Sequence, residues 1–512
     1  MKSLFFSLAA SLMLALPVLS QAQQISKTVV EQGEIEGVVH DGYVLYPAIP
    51  YAEAPVGDLR WKAPVPKKPW QGVYRAEKFA PQPPQPGRGV SSEDCLYLSV
   101  QTPAKSKDDK LPVFVMIHGG AFLTGSYAGT QDSFVKEGIV YVSIEYRLGV
   151  LGFFSHPELS KESPNGVSGN QGILDQICAL KWVHNNIAAF GGDPDNITIA
   201  GESAGGISVS ILCASPMCKG LFKRAISESG GSFCPISDLR TDNIFLGTAK
   251  GMEQNGLEFQ KKMGAKNLKA LRNLPVEKLV SGTNMEEFWP VVDGIAIADD
   301  QYKLYESGNY NDVDILIGTN SDEGWMFTRE TSVEDFESHI RGTFGDFADR
   351  LLAMYPVKTP AEVHFALADI FRDGHFAWGT YAWANLQSAK SDKNVYLYYF
   401  DQNSGGFMGS PRGANHVAEM PFVYGWGTDR FSDVEKSMSQ IMSQYWINFV
   451  KTGNPNAPGL PFWTTYKQGA PTVMHFRDGF RLVNVPNQEQ LNFFEDFFKS
   501  RRSMKRVLVL AG

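Results

Sequence analysis

Short apolar runs alternate along this chain with stretches of helical spacing. Residues 112–117 (PVFVMI), 139–144 (IVYVSI) and 196–200 (NITIA) read as buried strands, and 315–317 and 395–400 follow the same pattern. Between the second and third of these, residues 171–190 space their apolar side chains as an amphipathic helix does. Apolar strands alternating with helices predict an α/β architecture, with a large, mostly parallel central sheet covered by helices on both faces. Residues 28–50 differ. Their apolar–polar alternation and glycine punctuation predict antiparallel strands, expected at one edge of that sheet. No repeat of fixed period is visible. The proline-rich stretch 81–86 reads as an extended surface loop, too short to separate domains.

The first 22 residues follow another pattern. Met1-Lys2 makes a short positive start, an apolar run from 4 to 19 is broken by Ser7, Ser11 and Pro17, and Ser20-Gln21-Ala22 supplies small residues. This is expected to be a secretory signal peptide cut after Ala22, which makes the protein secreted or periplasmic. Broken by Pro17, the run is short for a span of about 30 Å, so no stable membrane anchor is expected.

A length of 512 residues suggests about three domains by size alone. The chemistry-bearing motifs, however, run from His118 to His416 with no composition break between them. Residues 23–512 are therefore expected to form a single α/β domain with long insertions. Hydrophobic residues make up 43% and charged residues 20%, a globular balance that excludes large-scale disorder. The net charge of −8 and the lack of basic runs exclude nucleic acid as a partner. Five cysteines (Cys95, Cys178, Cys213, Cys218 and Cys234) are too few for a disulfide scaffold, although Cys213 and Cys218 are close enough in sequence to pair.

The strongest chemical signal is Gly201-Glu202-Ser203-Ala204-Gly205-Gly206, a G-x-S-x-G pattern between a strand and a helix-like stretch. Its glycines permit a sharp turn that holds a serine hydroxyl out at the sheet edge above a helix N-terminus. Such a nucleophile needs oxyanion donors. One is the backbone N–H of Ala204, and the Gly-rich loop His118-Gly119-Gly120-Ala121-Phe122 after an earlier strand is the second source. It also needs a base. Of the five histidines that follow, His416 lies in a small-residue loop soon after a strand. His339, His364 and His375 fall in helical stretches and His475 in an edge-like strand. An acid must orient the imidazole, and both Asp322 and Glu323, after the strand at 315–317, qualify chemically. The order serine, acid, histidine is that of α/β-hydrolase triads.

These motifs carry a resemblance. From about residue 33 to 498 the chain resembles the type-B carboxylesterases, the cholinesterase-like branch of the α/β-hydrolases. The likeness rests on Glu93-Asp94-Cys95-Leu96-Tyr97-Leu98, His118-Gly119-Gly120-Ala121-Phe122, Tyr146-Arg147-Leu148-Gly149, Gly169-Asn170-Gln171-Gly172, the segment 201–206, Asn320 to Gly324, and His416-Val417-Ala418-Glu419. The resemblance implies Ser203 as nucleophile, His416 as base and Glu323 rather than Asp322 as acid. It implies Gly119, Gly120 and Ala204 as oxyanion donors, with Glu202, Ser229 and Glu419 close around the triad. It implies hydrolysis of a small-molecule ester. The chain has no HExxH, no CxxC pair, no P-loop and no G-x-G-x-x-G opening the first βα unit, so no metal and no cofactor are expected. The family also bridges the cysteine equivalent to Cys95 to an upstream partner. Here Pro83 stands in that place, so the bridge lacks its second half.

Two other readings share these motifs. A serine peptidase could use the same triad, but the chain lacks propeller repeats and matches esterase motifs along its length. A non-catalytic, cholinesterase-like binding protein would be expected to lack the nucleophile or the base, and both are present. Phe122, Trp289, Trp325, Phe376 and Trp378 are candidate pocket aromatics. Asn196-Ile197-Thr198 is a glycosylation sequon at a strand start. An unperturbed His416 would lose activity on acidification through about pH 6.5.

Overall fold

The computed structural model describes residues 24–510 except 88, 127–128, 238–250, 284–286, 404 and 406–409. The signal peptide expected at 1–22 lies outside the described residues. In chain order the strands are β1 (Lys27–Val30), β2 (Gly33–Glu36), β3 (Val38–His40), β4 (Tyr43–Pro50), β5 (Val73–Arg75), β6 (Tyr97–Thr102), β7 (Leu111–Ile117), β8 (Val140–Ile144), β9 (Gly192–Glu202), β10 (Arg224–Glu228), β11 (Asp314–Asn320), β12 (Val395–Phe400), β13 (Thr472–Phe476) and β14 (Phe480–Asn484).

Among the described residues, eleven strands form one sheet in the order β14-β13-β12-β11-β10-β9-β7-β8-β6-β4-β3. Every neighbouring pair from β8 to β13 is parallel. Antiparallel pairs close both edges, β8-β6-β4-β3 on one side and β13-β14 on the other. The predicted N-terminal edge is therefore present, but only β3 and β4 build it. β1 and β2 leave the main sheet and pair with each other, β2 takes β5 on its other side, and the Trp70 indole donates to the Glu34 carbonyl at 2.8 Å beside that junction. Alternation within 28–50 could not separate the two pairs, because the partner that draws β2 away lies some forty residues downstream.

Two-residue periodicity divides the core. Val113, Val115 and Ile117 of β7 belong to one apolar cluster, while Phe114 and Met116 belong to another on the opposite face. The helix Gln171–Asn186 covers the first face with Ile173, Ile177, Leu180 and Val183. The helix Asp433–Thr452, capped by Ser432 and Glu435, covers the second with Met438, Met442, Trp446 and Phe449. All five cysteines are free, so the pairing considered for Cys213 and Cys218 does not form. Both thiols instead pack into the first cluster. Cys95 is likewise free and buried. The proline-rich loop is not simply a surface feature, since Pro83 and Pro84 are buried. In the sequon at 196–198, the half-buried Asn196 side chain accepts from Arg224 and Thr198 is fully buried.

The chain places β8 on one side of β7 and β9 on the other. That reversal is where open α/β sheets form a crevice at the carboxyl ends of their strands. The helix Ala204–Ala214 starts immediately beyond Ser203, which itself follows the last residue of β9, and it crosses against the end of β7. A Cβ on Gly205 would lie 2.1 Å from the Ile117 carbonyl oxygen. Gly205→Ala is therefore expected to lower the urea midpoint by the equivalent of about 2 kcal/mol or more, the range of core overpacking, with loss of turnover. A wild-type midpoint and full activity in that variant would contradict this account of the crossing.

Candidate active site

Ser203 occupies the junction of β9 and the following helix, with φ 56° and ψ −126°. A non-glycine residue there stores strain of about 1–3 kcal/mol, which its surroundings must hold. Its N–H donates to the Glu228 carbonyl on β10 at 2.9 Å, and its own carbonyl accepts from Ile207 at 2.8 Å. The residue is half-buried.

Ile117 of β7 pairs with Gly201 of β9. Two residues further along each strand direction, Gly119 and Ser203 stand level. A Cβ on Gly119 would lie 3.2 Å from Ser203 Cβ and 2.6 Å from the Glu202 carbonyl, so no side chain fits between the loop and the serine. Gly120 has φ +106° and Ala121 and Phe122 are also left-handed, with φ of 55° and 56°. The loop thus folds tightly beside Ser203, with Gly119 and Gly120 on one side and the N–H of Ala204 at the helix start on the other.

His416 sits in the loop after β12, and Asp322 and Glu323 follow β11. These two loops are laced together. Asp322 N donates to the Ala414 carbonyl at 2.8 Å, Ala414 N to Ser321 Oγ at 2.8 Å, and Asn320 Nδ2 to the Asn415 carbonyl at 2.9 Å. The lacing sends the two candidate acids in opposite directions. Asp322 meets Arg412 at 3.2 Å. Glu323 Oε2 lies 2.5 Å from His416 Nδ1, while its Oε1 accepts from Ser229 Oγ at 2.5 Å and from Asn320 N at 2.7 Å.

The other ring nitrogen of His416, Nε2, lies 3.1 Å from Glu202 Oε1. Glu419 does not touch the imidazole. It accepts from Asn320 Nδ2 at 2.5 Å and from Tyr398 at 3.3 Å. A further buried acid that sequence reasoning missed is Glu228, which accepts from Tyr424 at 2.7 Å. It sits opposite Glu202 in the β9–β10 ladder, and the sequence signal for it was an acid inside an otherwise apolar strand. Burial, reinforced by the neighbouring acids, raises these carboxyls. Glu202 is pushed up to about 8 although the His416 charge opposes this, Glu419 to about 7, and Glu228 well above the usual carboxyl range. For His416, burial works against the charge. Glu202 and Glu323 outweigh it and raise the imidazole to about 9, well above the unperturbed value expected from sequence.

Aromatic rings flank His416. Phe376 stacks on it at 4.7 Å and Phe327, which sequence reasoning missed, meets it edge-on at 5.1 Å. Phe376 is delivered by a π-helical turn, Arg372–Ala377, between the helices Pro360–Phe371 and Trp378–Lys390. Nothing in the local sequence marks that turn. Of the other candidate aromatics, Phe122 packs against Trp289 at 5.2 Å, Trp325 stacks on His364, and Trp378 is buried and bonded to Glu495. The remaining histidines are elsewhere. His339 is exposed, His375 stacks on Phe371, and His475 meets Asp401 at 3.2 Å. Among the described residues no group of three or more His, Cys, Asp or Glu side chains is placed to hold a metal ion.

A strand-to-helix serine, a histidine gripped by a carboxylate and a glycine loop now stand at the carboxyl ends of the central strands β7, β9, β11 and β12. The carboxylesterase family profile matches residues 24–494. The fumonisin B1 esterase of Sphingopyxis macrogoltabida is 33% identical over 473 residues, 86% of this chain and 84% of that protein. This chain belongs to the carboxylesterase family. The para-nitrobenzyl esterase of Bacillus subtilis is 33% identical over 494 residues, covering 90% of this carboxylesterase and 96% of the relative. A solved PNB esterase structure superposes with a TM-score of 0.79 at 31% identity, over 92% of this chain and 99% of its own. The carboxylesterase has the α/β-hydrolase fold, and the strand order above is its central sheet.

Two outcomes follow for this site. Glu323→Gln is expected to lower kcat by roughly 10³–10⁴-fold, as when a triad acid is replaced by its amide. Asp322→Asn should cost kcat no more than about 5-fold, about 1 kcal/mol of barrier, since Asp322 pairs with Arg412 and not with the imidazole. A larger loss in Asp322→Asn would reverse the assignment of the two carboxyls in steady-state assays, and equal losses would void it. The second outcome concerns pH. His416 can accept a proton only when neutral, and its pKa is raised, so activity is lost as pH falls through that raised value and the acid limb of kcat/KM should lie above pH 7. Glu202→Gln removes the largest raising influence and should move that limb down by about one unit or more. A limb at about pH 6.5 in both enzymes would contradict this, because it is the unperturbed histidine value.

Proposed function

We propose that this carboxylesterase cleaves small carboxylic esters through an acyl-enzyme on Ser203, with His416 as base and Glu323 as the acid that orients it. The observation that carries the reading is the Glu323 to His416 bond at 2.5 Å, which engages Nδ1 and leaves Nε2 facing the carboxyl of Glu202, the residue before Ser203. His416 Nε2 takes the Ser203 hydroxyl proton as Oγ attacks the ester carbonyl. The N–H groups of Gly119, Gly120 and Ala204 receive the developing oxyanion. The tetrahedral adduct collapses, the C–O bond to the alcohol breaks, and His416 returns the proton to the departing alkoxide. Water then repeats the sequence on the acyl-enzyme, releasing the carboxylic acid and restoring Ser203. Ser229 holds Glu323, while Glu202 and Glu419 set the charge around the pair.

On this reading Phe327 and Phe376 form an apolar wall beside the reacting centre, suited to esters with an apolar acyl or alcohol group. Residues 23–512 act as one domain, secreted or periplasmic after removal of the leader at 1–22. No helix among the described residues is long and apolar enough to cross a membrane. Ser203→Ala should abolish hydrolysis of a p-nitrophenyl ester while keeping the wild-type circular dichroism spectrum, and an organophosphate should label the wild type at Ser203 alone. Undiminished turnover by Ser203→Ala would sink the mechanism. Peptide cleavage in preference to ester cleavage would move it to the peptidase class.

A further inference from the structure

A second histidine–carboxylate pair lies behind the glycine loop, and the mechanism above leaves it unused. His118 immediately precedes Gly119 and is buried, as are Glu145 and Tyr146 just beyond β8. His118 Nδ1 lies 2.9 Å from the Gly119 carbonyl oxygen. A carbonyl can only accept, so Nδ1 carries the proton of that bond. On the far side of the ring Nε2 stands 3.5 Å from Glu145 Oε2, while Glu145 Oε1 accepts from Ser126 Oγ at 2.6 Å. The ring face stacks on Tyr146 with centroids 4.4 Å apart and planes at 19°, and the Tyr146 hydroxyl donates to the His118 carbonyl at 2.8 Å. Tyr146 against the face holds the imidazole in the orientation that presents Nδ1–H to Gly119, and Glu145 stands at the far nitrogen, where it attracts the ring when Nε2 also carries a proton.

The consequence is set by peptide geometry. The Gly119 carbonyl and the Gly120 N–H belong to one planar trans peptide and point in opposite directions. Holding the carbonyl from behind therefore aims the Gly120 N–H away from His118. A hydrogen bond to the carbonyl also polarises the amide and strengthens its N–H as a donor. Gly125 seals the bond, since a Cβ there would lie 2.3 Å from the Gly119 oxygen and 2.4 Å from His118 Nδ1. Gly125 is pinned in turn by Gln85 of the proline-rich loop, which donates to its carbonyl and accepts from its N–H, both at 2.8 Å.

We propose that His118 and Glu145 are positioning residues for the oxyanion hole. They orient and polarise the Gly119–Gly120 peptide, so they stabilise the tetrahedral intermediate without touching substrate. This rests on the reading of Ser203 as nucleophile and of the glycine loop as oxyanion donor. The test uses His118→Leu, Glu145→Gln and His118→Asn, the last because its side-chain N–H can stand where Nδ1–H stands. Each is assayed for kcat and KM on an ester and for inhibition by a trifluoromethyl ketone, which forms an oxyanion adduct on a serine nucleophile. His118→Leu should lower kcat by about 10-fold or more, approaching the 10²–10³ seen when a donor is removed outright, with KM nearly unchanged. Affinity for the ketone should fall by the same factor. Glu145→Gln should lose less, and His118→Asn should recover most of what leucine loses. A kcat loss with undiminished ketone affinity would overturn the proposal, and so would an asparagine variant no better than leucine when both melt like the wild type. Turnover by Ser203→Ala would instead overturn the underlying mechanism. An inactive Ser203→Ala beside fully active His118→Leu and Glu145→Gln would overturn the positioning role alone.

Discussion

The junction at Ser203 governs the architecture around it. A parallel strand passes into a helix with one residue between them, and that residue adopts a left-handed backbone conformation. Such a turn survives only where its neighbours leave no alternative. β7 and β10 press on it from either side, the Ile117 carbonyl fills the space a Gly205 side chain would need, and the Glu228 carbonyl takes the Ser203 N–H. The strain is confined where a hydroxyl must project from a rigid base, above the first N–H groups of a helix.

Because the turn is rigid, the other elements are placed by strand register. The Ile117–Gly201 pairing sets Gly119 level with Ser203, and the Glu202–Glu228 pairing brings two acids together in adjacent strands. The loops after β11 and β12 are then tied to each other by backbone bonds, and their side chains follow with little freedom. Glu323 turns to the imidazole while Asp322 turns to Arg412.

That convergence concentrates negative charge. Glu202, Glu228, Glu323 and Glu419 are all buried near one histidine. Water cannot screen them, so the carboxyls of Glu202, Glu228 and Glu419 are raised and His416 becomes more basic than an isolated imidazole. The proposed base is thus tuned by groups that the reaction never consumes. The opposite wall of the site is arranged on the same principle. There His118 and Glu145 are fixed by Tyr146, Ser126 and the glycine that Gln85 pins, and the proline-rich loop contributes to the site from outside the sheet.

Much of this was legible in the residues themselves. Apolar runs marked the parallel strands because burial on both faces demands continuous hydrophobicity. The G-x-S-x-G and His-Gly-Gly motifs could be placed on strand ends because their glycines permit turns that other residues resist. Periodicity could not divide β1 and β2 from β3 and β4, distinguish Asp322 from Glu323, or reveal the π turn behind Phe376. The sequence alone determined the secondary-structure order and the inventory of reactive side chains, since both depend on local spacing and chemical type. Tertiary structure brought Glu323, the acid the resemblance implied, against His416, and it alone decided which other acids share its burial and what holds the His118 ring behind Gly119. Those contacts join residues tens to more than two hundred positions apart, and strand register and loop lacing, which have no local signature, determine which of them meet.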